Sequence, residues 1–74
     1  MSVFAKDLVF GKTYYVNLYD NPRVPQAFGG NFHETFDEAV VAARHELSVE
    51  PQTKLLHILE VTAIKGLEPL EMYP

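Results

Sequence analysis

The sequence has no cysteine and no tryptophan, only two serines, and six basic residues against ten carboxylates. Without cysteine there is no disulfide, and a zinc site could draw only on three histidines and on carboxylates. The same absence fits a reducing compartment. Ser2 stands near the chain start and Ser48 at the end of a predicted helix, so nucleophilic catalysis has little material. The cations Lys6, Lys12, Arg23, Arg44, Lys54 and Lys65 are scattered and the net charge is −4. Phosphate-backbone binding needs clustered Lys and Arg, so direct nucleic-acid binding is not expected. An anionic membrane surface is disfavoured on the same ground. No run approaches the roughly 18 apolar residues of a membrane span. Lys6 and Asp7 interrupt the apolar start, which does not read as a signal peptide. The expectation is a cytoplasmic protein.

What is present is an ordinary globular composition, 47% hydrophobic over 74 residues. That length is one domain, 1–74, and a chain so short buries only about 60–65% of the surface its unfolded form exposes. Packing, or a partner, must supply the stability.

Thr13 to Tyr19 alternates Tyr14, Val16 and Leu18 on one face with Tyr15, Asn17 and Tyr19 on the other, which predicts a strand. Asp20 to Gln26, with Pro22 and Pro25, reads as a stiff loop. Ala27 to His33 reads as a short second strand, bent or closed by Gly29-Gly30. Thr35-Phe36-Asp37-Glu38 is a capping box opening a helix from about Phe36 to Leu47. Asp37 there complements the helix dipole. Phe36, Ala39, Val40, Ala43 and Leu47 share a stripe at 3.6-residue spacing, with Glu38, Ala42 and His45 opposite. Pro51 bars a long continuation. Lys54 to Lys65 is apolar on both faces in its first half and reads as a long central strand. Leu67 to Pro74 is apolar for a terminus and is expected to pack down.

Several constellations resemble sites and fail on spacing. Gly11-Lys12-Thr13 looks like the end of a phosphate loop, but Lys6 stands where its first glycine should be, and a strand follows instead of a helix. His33, His45 and His57 have no metal-ligand spacing. Asp37 and Glu38 are better explained by the helix dipole than as a general acid–base pair. No catalytic residue, cofactor or metal is therefore assigned. One helix covers one sheet face, and the other face is expected to present Tyr15 and Tyr19 with Leu56 and Ile58 or their odd-numbered neighbours. Tyrosine beside aliphatic side chains is the composition of an interface core. The alternative is that Val3–Phe10 or Leu67–Tyr73 folds over that face.

From Lys12 to Glu68, three features resemble small accessory proteins of tailed bacteriophages: the aromatic first strand, the threonine-capped helix Thr35-Phe-Asp-Glu-Ala39, and the strand Leu55-Leu-His-Ile-Leu-Glu-Val-Thr-Ala-Ile64. Among these is a small inhibitor of bacterial RNA polymerase with one helix on a three-stranded sheet. Its functional strand carries arginines where this chain has Glu60 and Thr62, so no functional residue carries over. The resemblance implies a class that binds and disables a host complex.

These readings give an α+β fold: one helix on a three-stranded antiparallel sheet, in the order strand, strand, helix, strand, with a fourth short strand from either terminus allowed. The expected function is non-catalytic protein binding, with a host protein complex as partner. The expected contacts are Tyr15, Tyr19, Leu56 and Ile58, with Arg23 as a specificity element. The alternative is a structural or homodimerisation module using the same face.

Overall fold

The computed structural model describes residues 2–64. The aromatic, β-branched run becomes β2 (Thr13–Asp20), and the capped periodic segment becomes α1 (Phe36–Val49). The Thr35 hydroxyl accepts the Glu38 N–H at 3.1 Å, so the helix starts where the capping signal puts it. It runs two residues past Leu47. The fold is α+β, one α-helix on an antiparallel sheet, with five strands among the described residues where three or four were expected.

The two additional strands are short. The apolar lead-in supplies β1 (Ser2–Val3), which pairs β4 (Phe32–His33). The expected second strand is split into β3 (Ala27–Phe28) and β4, because Gly29-Gly30-Asn31 leaves the ladder between them. Leu18 pairs Phe28 and Tyr15 pairs His33, so one segment spends five residues where the other spends three.

The centre of the sheet is a correction. β2, not the last strand, is central: β4 and β3 lie along one edge of it, and β5 (Lys54–Thr62) runs the length of the other. Among the described residues β5 pairs β2 alone, so it is an edge strand. Its Leu56 is an extra residue, since Leu18 faces His57 and Tyr19 faces Leu55. An apolar run on both faces signals cover on both faces, not strands on both edges.

The face that meets the helix is a second correction. Asn17 bonds to the helix backbone and Tyr15 stacks edge-on to Phe36, so Tyr15, Asn17 and Tyr19 lie under α1. They are not on the uncovered face, and Ile58, paired with Asn17, shares their side. The opposite face carries Tyr14, Val16 and Leu18 with His57, Leu59 and Val61. Tyr14 and Val16 are buried there, and the Tyr14 hydroxyl accepts the Val9 N–H at 2.9 Å. The lead-in thus touches this face through Val9, not the Tyr15 and Tyr19 face that the alternative had it cover, and its Phe4, Val9 and Phe10 side chains are exposed. The expected packing of Leu67–Tyr73 lies outside the described residues.

On α1 the buried positions are Ala39 and Ala43. Two small side chains let the helix backbone come close to β2, which matters for the site. Ala42, expected on the outer side, is half-buried, whereas Phe36 is largely exposed.

Candidate binding groove

A groove of about 540 Å³ runs between the second half of α1 and the sheet edge that β3 and β4 leave open. Asn17 stands in its wall near the middle of β2, only 2% exposed. Its side-chain amide donates to the Ala39 carbonyl oxygen at 3.0 Å and to the Tyr19 hydroxyl at 3.1 Å. Ala39 O can only accept, so the amide orientation is set by chemistry. Asn17 Oδ1 is then a buried acceptor without a donor among the described residues.

Tyr19 follows Asn17 on the same face of the strand. Burial raises its phenol above the ordinary tyrosine value, and the nearby Glu46 carboxylate raises it further, against the Asn17 hydrogen bond. Glu46 and Glu50, one turn apart on α1, line the groove with Ala42. Opposite them Gly29 and Gly30 form part of the lining. A Cβ on Gly29 would come within 3.2 Å of the Tyr19 ring, whereas one on Gly30 would meet open space. His33, buried on β4, also lines the groove, and burial, with the N-terminal ammonium adding to it, lowers its pKa.

The far end is closed by a braced loop. Asn21 Oδ1 accepts the Arg23 N–H at 2.8 Å, and its amide donates to the Thr53 hydroxyl at 2.9 Å. Asp20 Oδ1 accepts from the Gln26 N–H at 3.2 Å. These bonds, with Pro22 and Pro25, hold the exposed Arg23 at the rim. Arg23 makes no ion pair with Glu46 or Glu50.

Of the five expected contact residues, the groove brings together Tyr19 and Arg23. Tyr15 sits at the other end of the same face, its ring 6.2 Å from Phe36 and its hydroxyl donating to Glu60 at 3.1 Å. That bond raises the Tyr15 phenol, with the charge of Glu60 adding to it. Ile58 is half-buried beneath the helix layer, and Leu56, at the bulge, is 38% exposed away from the groove. Sequence reasoning missed Asn17 and Glu46. The signal for Asn17 was a lone amide between tyrosines on an otherwise aromatic face; nothing singled out Glu46.

The other titratable groups do not assemble. Ser2 and His33 are cross-strand partners, and Asp37 lines a cavity with both, yet no side-chain hydrogen bond joins Ser2 to His33 or His33 to Asp37. The Ser48 hydroxyl donates to His45 O at 2.7 Å. His33, His45 and His57 sit on β4, on the outer helix surface and on the far sheet face, and among the described residues no three ligating side chains cluster. No helix among them is long and apolar enough to cross a membrane.

Compared with family models, curated proteins and solved structures, the chain matches none of them. The groove is therefore read from its own residues.

Proposed function

We propose that this chain is a small protein-binding module that acts by occupying a partner's surface, with no chemistry of its own. The observation that carries this reading is the groove, where a braced loop bearing Arg23, the half-buried Tyr19 and the buried Asn17 converge from separate parts of the chain. Such a concave, mixed polar and apolar lining suits recognition of a protruding partner segment. Inhibition of a host complex is the specific form of the reading. It rests on the resemblance to small phage proteins, and makes bacterial transcription and immune assemblies the first partners to test.

A structural or homodimerisation module using the face of Tyr15, Tyr19, Leu56 and Ile58 is the weaker reading, since α1 packs over Tyr15 and Asn17 there, and the open edge of β5 does not favour self-pairing either. The bulge at Leu56 breaks the regularity of that edge, and Lys54 and Glu60 place charges on it. Both features discourage strand addition.

The test is capture from bacterial lysate by tagged wild-type protein, Arg23→Ala and Ala42→Trp, read by mass spectrometry. A partner retained by wild type and by Leu56→Ala, and lost by both groove variants, supports the reading. Capture indifferent to the groove variants overturns it. Light scattering on the wild type at several concentrations should give a monomer throughout.

A further inference from the structure

We propose that a second, apolar groove, on the sheet face away from α1, is the seat of this chain's own residues 67–73, folded back from the end of β5. The first observation is that groove. It holds about 450 Å³ and is walled by Leu8, Phe28, Phe32, Leu59 and Val61 over the buried Val16. The Tyr14 hydroxyl is already committed to the Val9 N–H, so the lining side chains offer a polar ligand little beyond Thr62. Phe28 is 61% exposed, and the other four wall residues are half-buried. α1 lies on the opposite face, and one helix cannot cover both. Contiguous apolar surface left to water is unfavourable, and patches of this kind mark docking sites.

The second observation is where the chain goes next. Thr62 and Ala63 belong to the lining, and Ala63 is held by main-chain hydrogen bonds to Gly11 and Lys12. Ile64 follows it, 78% exposed. Residues 65–74 are therefore tethered at one end of the groove. The tether makes docking intramolecular, at an effective concentration on the order of millimolar, against which a free partner must compete. Ten extended residues reach up to about 33 Å. Leu59 stands only about 13 Å back along β5 from Ala63.

The third observation is what the tether carries. Gly66 permits the reversal that returns the chain over the sheet. Leu67, Leu70, Met72 and Tyr73 then bring four apolar side chains to an apolar lining. Pro69 has no N–H to give, which disfavours a simple prolongation of the β5 ladder. Glu68 and Glu71 keep their charges in water on the outer side. The inference does not rest on the protein-binding reading, because the groove of Tyr19 and Arg23 lies elsewhere.

The experiment uses the full chain. The sequence has no cysteine, so Glu71→Cys takes a single nitroxide label. In the ¹⁵N-labelled protein the amides of Leu8, Phe28 and Leu59 should lose most of their intensity, while those of Ala42 and His45 on α1 keep theirs. Equal loss on both faces, or none at Phe28 and Leu8, would overturn the inference. Unlabelled ¹⁵N wild type mixed with ¹⁴N spin-labelled protein should show no loss; loss at Phe28 there would seat a second copy in the groove and overturn it too. Leu70→Asp with Met72→Asp should abolish the face selectivity and raise the fluorescence of an added apolar dye severalfold, and an unchanged pattern would count against the proposal. If that double variant does not fold, the label pattern in the otherwise wild-type chain decides alone. Capture of a partner through the Tyr19 and Arg23 groove is measured separately, so either reading can fail without the other.

Discussion

The side-chain amide of Asn17 donates to the main-chain oxygen of Ala39 at 3.0 Å, tying the middle of the central strand to the first half of the helix. The bond is buried, and the small side chains of Ala39 and Ala43 let the two backbones approach closely enough to make it.

Asn17→Asp should therefore be far more damaging than its size suggests. It puts an acceptor against an acceptor and buries a charge, whereas Asn17→Ala only withdraws the donor, a loss of about 1–3 kcal/mol. Urea denaturation of both variants checks the order. An Asp variant as stable as the Ala variant would contradict the hydrogen-bond assignment.

Thr35→Ala removes the acceptor that caps α1. The expected loss is about 1 kcal/mol, which for a domain of this size lowers the melting temperature by several degrees. Thermal denaturation followed by circular dichroism measures it.

Gly11 and Gly30 should respond differently to alanine. Gly11 has φ of 83° in the turn before β2, a region where a Cβ costs about 1–2 kcal/mol. Gly30 has no left-handed φ and open space around an added Cβ, so Gly30→Ala should leave stability nearly unchanged. Paired melting curves separate the two.

His33 predicts an acid-side loss of stability. Burial lowers its folded pKa below the unfolded value of about 6.5. Above that pH neither state holds the proton. As pH falls below it the unfolded chain protonates first and unfolding gains ground, until the folded pKa is passed. Asp37 and Glu38 line a cavity with His33, and the N-terminal ammonium lowers its pKa in the same direction as burial. Denaturation midpoints taken downward from pH 7 should fall for wild type and flatten for His33→Gln.

Ile58→Ala should cost folding stability before it costs binding, because the side chain is half-buried in the helix–sheet layer. About 1–2 kcal/mol is expected, below the range for a fully buried isoleucine. A variant of wild-type stability that had lost a partner would return Ile58 to the contact surface.

The sequence by itself determined the elements whose signals are local. The alternation from Thr13 to Tyr19 made a strand, and Thr35 with the alanine and valine stripe made a helix, because backbone capping and side-chain period act within a few residues. The stiff loop around Pro22 and Pro25 was legible for the same reason, and with it the exposure of Arg23. Only the tertiary structure decided which face of β2 lies under the helix. Both faces are rich in aromatic and aliphatic groups, and alternation sorts residues into two sets without saying which set turns inward. Asn17 breaks the tie: its amide needs a carbonyl, and the alanine stripe of α1 brings one within reach. The central position of β2 and the groove where Asn17, Tyr19 and Glu46 meet were likewise hidden, since strand pairing and helix docking join residues distant in sequence, and no local pattern encodes such contacts.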